Sequence, residues 1–388
     1  MKPRVVVLGS IARMPVAGVA WQALHYLEGL RRLGCDVYYV EDTNAWAYDP
    51  ERGTLTNDGA YPARYLARLM EWLGLPDRWA YRAAGEGAAV YGLSETAFRA
   101  LFAEADVVLN VTAATTLREE HLRVPVRAYV ETDPVLPQLE IAEGREFTIG
   151  LLAAHTHHFT FGENLGTPRC PIPVERFRYR PTRQPVVRDW WPQSTRPAAA
   201  PLRFTTIANW RQSGKDVTWR GEVYTWSKHH EFLKLIDAPA RTHVSLELML
   251  AGGDAPTRSA LAARGWRLGD AEALSGDILP YRDYVLGSDG EFTVAKDQNV
   301  RLRSGWFSDR SACYLAAGKP VVTQDTGFGD VLPTGRGLFA FRSMDDVVAG
   351  LDAIASDPDG HARAAAELAT EYFDAERVLR RLLTEAGV

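Results

Sequence analysis

Short runs rich in β-branched residues alternate with amphipathic helical stretches along almost all of this 388-residue chain, and the alternation breaks only once. That pattern is the sequence form of repeated βαβ units, which close around parallel sheets covered by helices. The opening unit is the clearest. Residues 4–8 (Arg-Val-Val-Val-Leu) read as a buried strand and 9–18 as a loop; 19–33 read as a helix with Ala20, Ala23, Leu24, Leu27 and Leu30 along one face, stopped by Gly34. Strands follow at 35–40, 106–111, 126–130 and 159–161, with a helix at 62–73. The break runs from Pro168 to Pro201, where eight prolines recur, each removing a backbone donor and interrupting helix or central strand. Beyond it the alternation restarts, with strands at 204–208, 245–251, 291–295, 321–324 and 338–341 and helices at 226–236, 258–265, 308–317 and 344–355, the last capped by Ser343. The fold class is therefore α/β, with two Rossmann-like doubly wound parallel-sheet domains over residues 1–180 and 204–370, a Pro-rich linker at 181–203, and a terminal helix within 371–388. Such sheets bind ligands beyond the carboxyl ends of their strands, so function is sought in a cleft between the domains.

Composition narrows the partners. The formal net charge is -5 and no basic run occurs, so nucleic acid is not an expected partner. Of the 44 cationic residues, 38 are Arg and six Lys, which reads as a coding bias. Cys35, Cys170 and Cys313 are odd in number and scattered, which offers neither a disulfide framework nor a CxxC metal site and suits a reducing, cytoplasmic setting. The first strand begins at Arg4 without a signal-peptide core before it, and no stretch approaches the roughly 18 apolar residues of a membrane helix.

Several strand ends carry chemistry. The first loop has Gly9 and Gly18 but no GxGxxG, which argues against a dinucleotide fingerprint, while Gly18 at a helix start can admit a phosphate. After the first strand of the second half, Arg211 and Lys215 place two cations four residues apart on a glycine-containing loop, an arrangement suited to a diphosphate. The strand at 291–295 runs into Lys296, Asp297, Gln298 and Asn299. Ser308, Asp309 and Arg310 open an apolar helix, whose first turn is a ready anion site. Asp325, Thr326 and Gly327 follow the next strand and offer a carboxylate, a hydroxyl and a flexible turn to sugar hydroxyls. In the first half, Asp133 and Glu163 end strands and are rival general bases. His155, His157 and His158 crowd together without an acidic ligand, so no metal is read there; one of them is expected buried and the others exposed.

The second half resembles the donor domain of GT-B glycosyltransferases, in particular family 4. The resemblance rests on Arg211 and Lys215, on the run from Tyr314 to Val322 (Tyr-Leu-Ala-Ala-Gly-Lys-Pro-Val-Val) and on the ending from Tyr372 to Leu379 (Tyr-Phe-Asp-Ala-Glu-Arg-Val-Leu), spanning residues 204–385. It implies that the Arg and Lys hold the donor diphosphate, that the helix before the Ala-Ala-Gly turn receives it, and that the last helix crosses back to the N-terminal domain. The chain departs from that family at Gly305 and Cys313, where two glutamates eight residues apart are usual.

The expected activity is transfer of a sugar from a nucleotide-diphosphate sugar, as co-substrate, to an acceptor hydroxyl bound by the first domain. No metal or other cofactor is required for it. Two alternatives share the fold: a nucleotide-sugar epimerase and a non-catalytic nucleotide-sugar binding protein.

Overall fold

The computed structural model describes residues 2–85, 87–193 and 201–388. Its first sheet has eight strands. β1 (Arg4–Leu8) and β2 (Asp36–Glu41) lead to a small hairpin outside the sheet, β3 (Ala47–Asp49) with β4 (Thr54–Thr56). Then come β5 (Trp79–Arg82), β6 (Val90–Gly92), β7 (Val107–Val111), β8 (Val126–Glu131), β9 (His157–Thr160) and β10 (Tyr179–Pro181). The order is β10-β9-β8-β7-β1-β2-β5-β6, parallel throughout except for the edge strand β6. Val5 to Leu8 are fully buried, as expected for a central parallel strand covered on both faces.

The second sheet contains β11 (Arg203–Asn209), β14 (Ser245–Ala251), β15 (Arg267–Asp270), β16 (Gly290–Thr293), β17 (Val321–Gln324) and β18 (Leu338–Phe341). Its order β15-β14-β11-β16-β17-β18 is wholly parallel, a doubly wound sheet whose direction reverses between β11 and β16. Between β11 and β14 the chain makes a second hairpin, β12 (Val217–Trp219) with β13 (Glu222–Tyr224). The residues expected in a helix at 226–236 form only the short helix His229–Lys234, because residues before it are drawn into this hairpin excursion. Of the proline-rich linker, residues 194–200 lie outside the described residues.

Among the described residues the lobes meet at several places. Leu139 and Val135 of the first lobe pack with Val217, Tyr224 and Leu302 of the second. Asn164, just past β9, donates through Nδ2 to the carbonyls of Gly327 (3.0 Å) and Arg303 (3.2 Å) and through its backbone to Ser304 (3.1 Å). The last helix, Ala375–Ala386, packs against Ala17–Arg32 so closely that a Cβ on Gly29 would lie 2.5 Å from Leu379 Cδ1 and 3.0 Å from Ala375 Cβ. Replacing Gly29 by Val is therefore expected to destabilise the protein by about 1–3 kcal/mol through overpacking, although a helical glycine is otherwise an unfavourable residue. Chemical denaturation at an unchanged m-value checks this. No helix among the described residues is long and apolar enough to cross a membrane.

Candidate active site

The crevice at the reversal point between β11 and β16 is floored by a buried ion pair. Glu291, with no exposed surface in β16, accepts from Arg310 Nε (2.6 Å) and Ser311 Oγ (2.5 Å). Arg310 also donates to Thr293 Oγ1 (2.9 Å) and to the Ile207 carbonyl. Burial opposes the Arg310 charge, but Glu291 beside it keeps the guanidinium protonated. The arrangement fastens the start of the helix Asp309–Ala316 to the ends of β11 and β16, and it commits Arg310 to Glu291 rather than to a ligand.

Ser308 takes the N-cap position with extended backbone, but its hydroxyl makes no capping hydrogen bond, so the first turn has no side-chain cap. This turn borders an interlobe cavity of about 200 Å³ lined by Gly18, Gln22 and His25 from the first lobe and Ser308, Asp309 and Cys313 from the second. Burial lifts the Asp309 carboxyl to about 6 against a hydrogen bond from Gln22, and the nearby Asp133 adds to the rise. Gly18, Ser308, Asp309 and Arg310, singled out separately along the sequence, thus meet at one cavity.

Beside this turn lies a cluster of cations. Lys296, three residues past β16, places its ammonium 3.1 Å from the ring centroid of Trp226, and Lys215 lies 4.5 Å from the same ring. Lys228 stands 5.4 Å from the Trp306 ring, half-buried, its ammonium with neither hydrogen bond nor ion pair among the described residues. Burial pulls its ammonium down to about 7, and the neighbouring charges of Arg310 and Lys296 act in the same direction. Burial likewise pulls Lys296 down to about 8 despite its partner, Asp133. Asp133 crosses from the first lobe to meet Lys296 Nζ at 2.5 Å, while Trp306 of the second lobe donates to the Thr132 carbonyl (2.9 Å). With Arg310 and Glu291 neutralising each other, three lysines gather about Asp133, with the Asp309 carboxyl nearby. Half of the chain's six lysines are here, and their scarcity was the signal that could have marked Lys228 and Lys296.

The remaining sequence candidates lie elsewhere. Arg211 is exposed on the loop after β11, without hydrogen bond or ion pair among the described residues. Glu163 accepts from Nε and Nη2 of Arg183 (2.7 and 2.9 Å). Asn299 is fully buried and accepts from Ser304 Oγ (2.7 Å). Asp325 receives Arg342 Nε (2.7 Å) and caps the Gly327 amide (2.7 Å), and Thr326 donates to the Trp306 carbonyl (2.5 Å). Gly327 has φ 90°, and a Cβ there would lie 2.5 Å from Asn164 Nδ2, so the glycine is required by the join between the lobes. Asn299, Asp325, Thr326 and Gly327 thus support the cleft wall from behind Trp306.

The departures from the family 4 pattern also have local causes. Gly305 has φ 79°, and a Cβ would meet the Asn164 amide nitrogen at 2.7 Å, which leaves no room for a glutamate. Cys313 Sγ instead lies 3.7 Å from His25 Nε2, with burial pushing the thiol up and His25 down to about 3.

Two clusters away from the cleft offer metal-type ligands. Asp42, Glu120 and His121 bring ligand atoms within 4.8 Å of one another, but Arg82 (3.1 Å) and Arg118 (3.0 Å) pair with Asp42, and the Arg118 amide occupies His121 Nδ1 (3.0 Å). That is an ion-pair knot rather than a cation cradle. Of the three neighbouring histidines, two are buried rather than the expected one: His155 bonds the Leu151 carbonyl (2.9 Å) and His158 the Leu152 carbonyl (2.9 Å), which fixes both rings.

No family model and no curated protein matches the chain in sequence. Solved structures match it over its whole length. HepE of Anabaena in complex with UDP-glucose is 13% identical over 99% of both chains at a TM-score of 0.59. A glycosyltransferase of Rickettsia africae is 12% identical over 99% of this chain and 98% of that one, at 0.53. Sucrose-phosphate synthase of Thermosynechococcus elongatus is 12% identical over 99% and 100%, also at 0.53. The protein has the GT-B fold, two Rossmann-like domains facing a cleft.

Proposed function

We propose that the protein is a glycosyltransferase that moves a sugar from a nucleotide-diphosphate donor to an acceptor held by the first lobe. The observation that carries this reading is the excess of ammonium groups, Lys215, Lys228 and Lys296, beside the uncapped first turn at Ser308 in the interlobe crevice. A dianionic diphosphate satisfies both features at once. As the glycosidic bond breaks, charge grows on the leaving oxygens, and fixed cations in a partly dried cleft stabilise that state more than the bound donor. Asp133 faces the same volume from the acceptor lobe and is the base that would take the acceptor proton; Glu163 is engaged by Arg183. The GT-B neighbours, one of them holding UDP-glucose, support the reading through the shared fold.

Thermal shifts with uridine, guanosine, adenosine and thymidine diphosphates and their sugars test it, since a ligand of the folded state raises stability by mass action. Absence of any shift would remove the proposal. Incubation with the donor alone separates transfer from epimerisation, because an epimerase alters the donor without an acceptor.

The lysines also fix a pH dependence. Lys228 and Lys296 sit at about 7 and 8 in the free protein, and an anion needs both protonated. Above pH 7 donor binding must therefore be accompanied by proton uptake, so affinity falls as pH rises. The expected slope approaches about tenfold per pH unit above 7 and steepens above 8. Calorimetric titration with a nucleotide sugar, which has no ionisation of its own phosphates in that range, measures it.

A further inference from the structure

Asp133 approaches the lysine cluster from the other lobe. Its carboxylate meets Lys296 at 2.5 Å with the side chain 40% exposed, whereas Lys296 is only 9% exposed. The backbone beneath Asp133 is held from several sides. Val135, two residues on, has φ 96° and ψ −64°, a strained conformation for a β-branched residue, in a fully buried position. Its amide donates to Gln138 Oε1 (2.7 Å), and Gln138 Nε2 donates to the buried Glu131 (2.7 Å). Glu131 is in turn bonded by Thr160 Oγ1 (2.6 Å), and the Thr132 carbonyl by Trp306 (2.9 Å). A main chain pinned in this way leaves Asp133 free to move only about its own side-chain torsions, with solvent access on its open side.

Resting on the donor reading above, we infer that Asp133 is a tethered counter-ion: its carboxylate fills the anion seat of the lysine cluster until a diphosphate displaces it, and the displacement delivers Asp133 to the acceptor. The exchange breaks no covalent bond. A diphosphate brings two negative charges to three ammonium groups where the aspartate brings one, so charge balance favours the ligand. The released carboxylate, having lost its cation to the phosphate, then lies in the cleft as the group able to take the acceptor proton. Donor binding thereby comes before productive acceptor binding, and the hydrogen bonds that hold the backbone from Glu131 to Val135 keep the carboxylate within reach of both partners.

The test is the affinity of Asp133→Asn for UDP, GDP, ADP and TDP, each titrated by calorimetry into the full chain at pH 7. Removing the internal competitor should tighten binding of the preferred diphosphate about three- to tenfold, because the binding-competent fraction rises. Asp133→Glu, which restores the charge, should return affinity toward that of the wild type, and Lys296→Met should weaken it. Unchanged or weaker binding by a folded Asp133→Asn would overturn the inference while leaving the donor reading intact. A wild-type protein that binds none of the four diphosphates would overturn both.

Discussion

Turnover of Lys228→Met should fall about a hundred- to thousandfold with the fold unchanged. Removal of one preorganised donor from a developing anion costs about that much. Lys228 is placed to have this effect because it has no carboxylate of its own, being half-buried beside Trp306 within the field of Arg310 and Lys296. An ammonium so placed is costly in the free protein and is relieved by an anion. Methionine keeps the stem and its packing while removing the charge, so unfolding should shift little. Lys234→Met is the matched control: that lysine is exposed and paired with Glu231 at 2.6 Å, and its loss should leave turnover within about twofold. Equal turnover in the two variants would take Lys228 out of the site.

Glu291→Gln is expected to cost about 3–5 kcal/mol of stability. The amide cannot neutralise Arg310, whose guanidinium would remain buried with one charged partner missing, and breaking one side of a buried pair carries a penalty of that size. Equilibrium denaturation reads it directly. The paired replacement Glu291→Leu with Arg310→Met should recover most of the loss, since two apolar side chains leave no orphaned charge. Recovered stability without recovered activity would separate the two roles of the pair, because Arg310 also ties the helix Asp309–Ala316 to the Ile207 carbonyl. A loss below about 1 kcal/mol for Glu291→Gln would show that water reaches Arg310 and that the floor is not dry.

The parallel sheets were the most legible part of the sequence. Ser245–Ala251, Val321–Gln324 and Leu338–Phe341 have the limits expected from the sequence, because a central parallel strand covered on both faces is dominated by buried apolar residues. Ser343 caps its helix through the Asp346 amide (3.2 Å), a local rule that needs no tertiary information. The hairpins β3–β4 and β12–β13 were not visible, since their strands are three residues long and partly exposed, with no alternation to detect. The site divides in the same way. Ser308, Asp309 and Arg310 were found because they follow from a helix start, but Arg310 looked available when Glu291, buried inside a neighbouring strand, already held it. Lys228 was missed, and Lys296 was noted only as one of several polar residues after a strand, because the folded hairpin and the approach of the first lobe are what bring them to Asp133.

The aromatic group around His25 gives the protein a built-in optical gauge. Trp21 of the first lobe packs edge-on against Trp72 and tilted against Trp190 and Trp191 of the connecting segment, and Trp72 packs tilted against Trp190, at centroid separations of 5.1 to 5.7 Å; the Trp21 indole donates to the Ile278 carbonyl of the other lobe (3.1 Å). Rotation of one half against the other has to break the Trp21–Ile278 hydrogen bond and change the surroundings of that indole. Intrinsic fluorescence therefore reports opening and closing in solution without any attached label.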